Sequence, residues 1–117
     1  MLGRRISKTN RLKTRSLIRT IKTAQVTINL FRGEITDECQ DALVNSTNSH
    51  LILSSYLARK AGRSVVIQTT DQIMQNGPLK PGEVFVGDGG NLHSRQVIHA
   101  CVPIYGTEQG LENILIR

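Results

Sequence analysis

The chain has 117 residues, 38% of them apolar and 3% aromatic, and its 15 Lys+Arg against 9 Asp+Glu give a net charge of +6. That length holds one small domain, and the composition excludes a collagen-like or low-complexity chain. No apolar run approaches the roughly 18–20 residues of a membrane span, so no membrane partner is expected.

The charge is segregated. Arg4, Arg5, Lys8, Arg11, Lys13, Arg15, Arg19 and Lys22 stand in residues 1–25 without one acid, whereas residues 26–117 hold every Asp and Glu and are slightly acidic. Residues 1–25 are therefore expected to be a disordered tail or linker, and residues 26–117 the folded domain. Three roles for the tail stay open: a solvated linker, an arm gripping nucleic-acid phosphates, or a mitochondrial presequence. It has no aromatic side chain to stack on bases, so nucleic-acid binding would be nonspecific and salt-sensitive. Two cysteines, Cys39 and Cys101, do not make a disulfide scaffold. With no signal-peptide core in view, the expected setting is cytoplasm or nucleus, with the mitochondrion as the alternative.

In chain order, Val26–Phe31 alternates and reads as a strand with Val26, Ile28 and Leu30 on one face. Arg32-Gly33-Glu34 turns the chain. Asp41–Asn45 is a short apolar run that reads as a strand buried on both faces, and Ser46–Ser49 is a loop. Ser54 or Ser55 caps a helix through Ala61, stopped at Gly62. Ser64 caps a second helix with Val66, Thr70 and Ile73 on one face, ended by Asn76-Gly77-Pro78. Glu83–Val86 is a strand, Gly87–Asn91 a loop and Gln96–Val102 another strand. Leu111–Ile116 opens a last helix. Strands alternating with helices predict an α/β domain with a mixed or partly parallel sheet.

A strand ending at Asn45, followed by a loop with Asn48, sets two amides at a strand's carboxyl edge. That is where open α/β sheets bind ligands. Each amide can bond sugar hydroxyls or simply shape a turn. Glu34, after the first strand, can accept hydrogen bonds from a base amino group. Gly87-Asp88-Gly89-Gly90 lacks the spacing of a nucleotide-binding glycine loop and reads as a turn. His50, His93, His99, Cys39 and Cys101 show no close ligand spacing, so neither a metal nor another cofactor is expected.

Gly33-Glu34-Ile35-Thr36 and Asp41-Ala42-Leu43-Val44-Asn45-Ser46-Thr47-Asn48 resemble the paired hallmark motifs of the macro domain, an ADP-ribose-binding module. Gly82-Glu83-Val84, Asn91-Leu92 and Val97-Ile98-His99-Ala100 agree with it in order and spacing. The Asn-Ser-Thr-Asn variant looks most like macro domains of the multi-macro-domain ADP-ribosyltransferases. The resemblance implies a three-layer α/β/α fold with ADP-ribose, free or on a modified protein, at the strands' carboxyl ends. Glu34 would take the place of the aspartate that reads the adenine amino group. Ile35 would line the adenine pocket, Asn45 would belong to the binding edge, and Asn48 would sit near the distal ribose.

The chain also departs from that pattern. The family follows its asparagines with glycines that wrap the diphosphate, but Ser49–Ala61 contains none. No Asp or Glu lies between Asp41 and Asp71, so the acid that often accompanies ADP-ribosyl hydrolysis has no candidate. The second phosphate loop and closing helix are not recognisable before Arg117. The expectation is a shortened, incomplete macro-like domain that binds ADP-ribose weakly or not at all, without catalytic residues. An ADP-ribosyl hydrolase and a basic-tail nucleic-acid binder are the alternatives. Exposed apolar edges would favour self-association.

Overall fold

The computed structural model describes residues 15–103. The helix expected at Leu111–Ile116 and the first part of the basic segment lie outside those residues. The described residues fall into two compact units that divide after Cys39.

The first unit is a hairpin followed by a short turn. Strand β1 (Ser16–Lys22) pairs antiparallel with β2 (Thr27–Arg32), setting Thr20 opposite Asn29 and Ile21 opposite Ile28. The Thr23 N–H donates to the Val26 carbonyl at 2.8 Å, and the Thr23 hydroxyl accepts from the Val26 N–H at 3.0 Å, closing the turn. For residues 16–25, the described part of the expected tail, the strand and its turn replace the expected disorder. Residues 16–22 are a strand, and the expected boundary after residue 25 falls inside the hairpin. Leu17, Ile18, Thr20 and Ile21 have the β-compatible shapes that a partner strand can use. Ile35–Asp37 then form one 3₁₀ turn.

The second unit is a three-stranded mixed sheet in the order β3-β5-β4, with β3 (Ala42–Thr47) parallel to β5 (Gln96–Cys101) and β4 (Val84–Asp88) antiparallel to β5. Parallel strands need a crossover, and this one carries helices α1 (Ser55–Ala61) and α2 (Arg63–Asn76). Ser54 caps α1, its Oγ accepting from the Leu57 N–H at 3.1 Å. Leu57 and Ala61 of α1 and Val65 of α2 pack with Leu43 and Val97 of the sheet and with Leu92 to form the core.

Both described helices thus lie on one face of the sheet, which corrects the reading of β3 as buried on both sides. Leu43 is buried, whereas Val44 is 61% exposed. The buried stripe of α2 also differs from expectation. Val65 and Thr69 are buried while Val66 and Thr70 are exposed. The helix starts at Arg63 directly after Gly62, so Ser64 lies inside it rather than capping it, and the side turned inward is the one whose Val65 packs with Leu43, Leu92 and Val97. Gly87 and Asp88 end β4 rather than joining the loop.

Candidate functional site

In the second unit, β3 and β5 end side by side, and the Val102 N–H donates to the Thr47 carbonyl at 3.1 Å just beyond them. At this carboxyl edge lies a cleft of about 520 Å³ lined by Ser46, Thr47, Asn48, Ile52, Ser54 and Val102, with Leu53 beside them. Its place follows the rule that open α/β sheets bind ligands beyond the carboxyl ends of their strands.

The loop that forms the rim is held by side chain as well as backbone. Asn48 Oδ1 accepts from the His50 N–H at 3.0 Å and the Ile52 N–H at 3.2 Å. The Thr47 hydroxyl donates to the Ile52 carbonyl at 3.3 Å, and the Leu79 N–H donates to the Ser49 carbonyl at 2.8 Å. Leu51 has φ +55° in the left-handed region and is only 2% exposed. A branched residue there is unusual, and the buried side chain pins the loop. Asn48 spends its carbonyl on this loop, which leaves its Nδ2 donor without a partner among the described residues. Ile52, 67% exposed, stands at the cleft where the sequence has no glycine.

Asn45 sits differently. It lies on the helix-facing side of β3 opposite His99, and its Nδ2 is 3.2 Å from His99 Nδ1. Asn45 is not among the residues lining the cleft. His99 is fully buried and stacks on Phe85, ring centroids 6.0 Å apart at 16°. Burial pushes its pKa below the usual 6.5, so the ring is neutral.

Glu34 and Ile35 come together in the first unit. With Arg15, Phe31, Gly33 and Glu38 they line a cavity of about 230 Å³. The Thr36 hydroxyl donates to Glu34 Oε1 at 3.1 Å. The Arg15 guanidinium lies 3.9 Å from the centre of the Phe31 ring and pairs with Glu38. Arg15 and Phe31 were not singled out by sequence. Arg15 read as tail charge and Phe31 as strand; the pairing of β1 with β2 brings them together, and no local pattern at Arg15 shows that pairing.

Comparison with known proteins sets this geometry in context. The family model for the Macro domain matches residues 44–116. A macro domain-containing protein of Caldanaerobacter subterraneus is 33% identical over 93 residues, which is 75% of this chain and 53% of that protein. An uncharacterised protein of Pyrobaculum aerophilum is 34% identical over 102 residues, 79% of this chain and 56% of that one. The chain thus spans about half the length of such relatives. Among solved structures, the Oceanobacillus iheyensis macrodomain with ADP superposes with a TM-score of 0.77 at 24% identity, covering 86% of this chain and 57% of that one. The Trypanosoma brucei macrodomain in complex with ADP gives 0.53 at 26% identity, covering 65% and 33%.

Proposed function

The chain belongs to the macro domain family, and from that premise we propose that it is an ADP-ribose-binding module with a weakened hold on the diphosphate. The observation that carries this reading is Asn48. Its carbonyl fixes the rim loop while its amide donor stays available at a cleft on the carboxyl edge of the sheet. A donor so placed suits a ribose hydroxyl. The ADP named with the Oceanobacillus and Trypanosoma macrodomains supports the ligand class.

The weakening comes from the rim. Backbone N–H groups approach phosphate best where no Cβ intervenes, and here Ile52 brings a branched side chain to the cleft. The Ile52 N–H is already given to Asn48. A hydrogen bond to a charged group contributes about 1.5–3 kcal/mol. Losing two of them lowers affinity about 10²–10⁴-fold. Ile52→Gly clears the side chain and is expected to tighten ADP-ribose binding several-fold in a titration of the full chain. Unchanged or weaker binding would count against an obstructed rim.

A further inference from the structure

One wall of the cavity in the first unit is built by Arg15. Three contacts fix Arg15. Its backbone lies against Gly33, where an added Cβ would stand 3.0 Å from Arg15 Cβ and 3.3 Å from its Cα. Its guanidinium lies 3.9 Å from the Phe31 ring centre. It also pairs with Glu38, each of the two side chains being 20% exposed. An ion pair sheltered to that degree, with a cation–π contact behind it, holds a long side chain in one place better than a surface pair does.

The contents of the cavity define what it takes. At about 230 Å³ it is below the roughly 300–1,000 Å³ of pockets for larger ligands, so it takes a ring rather than a whole dinucleotide. Glu34 and Glu38 outnumber the single guanidinium of Arg15, so the lining repels phosphate and favours N–H donors. Ile35, Phe31 and the flat guanidinium supply apolar and π surfaces.

We propose that Arg15 is a specificity-determining residue: with Phe31 it forms a cationic wall of a nucleobase pocket and stacks on the base presented to Glu34. The inference rests on the ADP-ribose reading above. Arginine suits the place because its planar, delocalised cation stacks on rings, which a lysine ammonium cannot do.

The test is an NMR titration of the full chain with AMP, ADP-ribose and ribose 5-phosphate, comparing wild type with Arg15→Met and Arg15→Lys. Arg15→Met keeps the stem that packs on Gly33, and preserved amide dispersion confirms the fold of each variant. The expected result is a roughly tenfold or greater loss of AMP and ADP-ribose affinity in both variants, with ribose 5-phosphate unaffected. Wild-type AMP affinity in either variant, or an equal loss for ribose 5-phosphate, would overturn the wall. If AMP binds and depends on Arg15 but ADP-ribose binds no better than AMP, the wall stands and the ADP-ribose reading falls. No response to either nucleotide overturns both.

Discussion

Asn45 and His99 face each other on paired parallel strands, with Asn45 Nδ2 3.2 Å from His99 Nδ1. The contact needs a neutral ring, because a protonated Nδ1 would turn an N–H toward the amide donor. His99 Nε2 has no hydrogen-bond partner among the described residues, so nothing there offsets the cost of charging the ring.

The sign of the pH dependence follows. Burial lowers the pKa of His99 in the folded chain below the usual 6.5, so near and below that pH the unfolded chain binds more protons. The stability held by neutral His99 is fully present above about 6.5 and is lost as pH falls from there through the folded-state pKa. Urea midpoints at stepped pH are expected to fall below pH 6.5 in wild type. His99→Gln is expected to lower the midpoint overall but flatten that acid-side slope. An equally steep slope in the variant would rule out His99 as its source.

Gly89 is a packing requirement. A Cβ there would stand 2.0 Å from the Ser94 carbonyl oxygen, which is backbone and cannot swing away. The neighbouring Gly90 has φ +58° and would meet the Ala61 carbonyl at 2.4 Å. Gly89→Ala is expected to destabilise the chain by about 2–4 kcal/mol, read from chemical denaturation. A change under about 0.5 kcal/mol would contradict this packing.

Leu51 sets two effects against each other. Relieving its left-handed backbone with glycine recovers about 1–2 kcal/mol. Removing a buried leucine side chain costs about 2–5 kcal/mol, cavity included. Burial wins, so Leu51→Gly is expected to be less stable than wild type. Faster amide exchange at His50 and Ile52 should accompany the loss. A more stable variant would show that strain, not anchoring, dominates the loop.

Local signals were readable where they decide structure. Ser54 caps α1, Gly77 ends α2, and the runs of β4 and β5 stand close to where alternation places them. Signals that depend on a partner were not. Strand β1 is hidden by its charges, because its pairing with β2 rather than its composition makes it a strand. The buried stripe of α2 is set by its packing partners, with Val65 joining Leu43, Leu92 and Val97, and those contacts are not local in sequence.

The site divides the same way. That Asn48 can shape its loop was readable, because its bonds to His50 and Ile52 are local. Asn45 was read as part of the binding edge, yet its amide meets a histidine 54 positions away. Only the register of two parallel strands brings those residues together. Arg15 owes its place to its ion pair with Glu38, 23 positions on, and that contact follows from the same hairpin.

The division of labour within the Asn48 amide is tested most directly by titrating ADP-ribose into the full chain and into Asn48→Asp. The aspartate keeps an acceptor for the His50 and Ile52 N–H groups but has no amide donor to give a ligand. Wild type is expected to bind with a dissociation constant of about 0.1–10 mM, and Asn48→Asp at least tenfold more weakly with an unchanged denaturation midpoint. Low-micromolar binding by wild type, or a variant that binds as well as wild type, would contradict it.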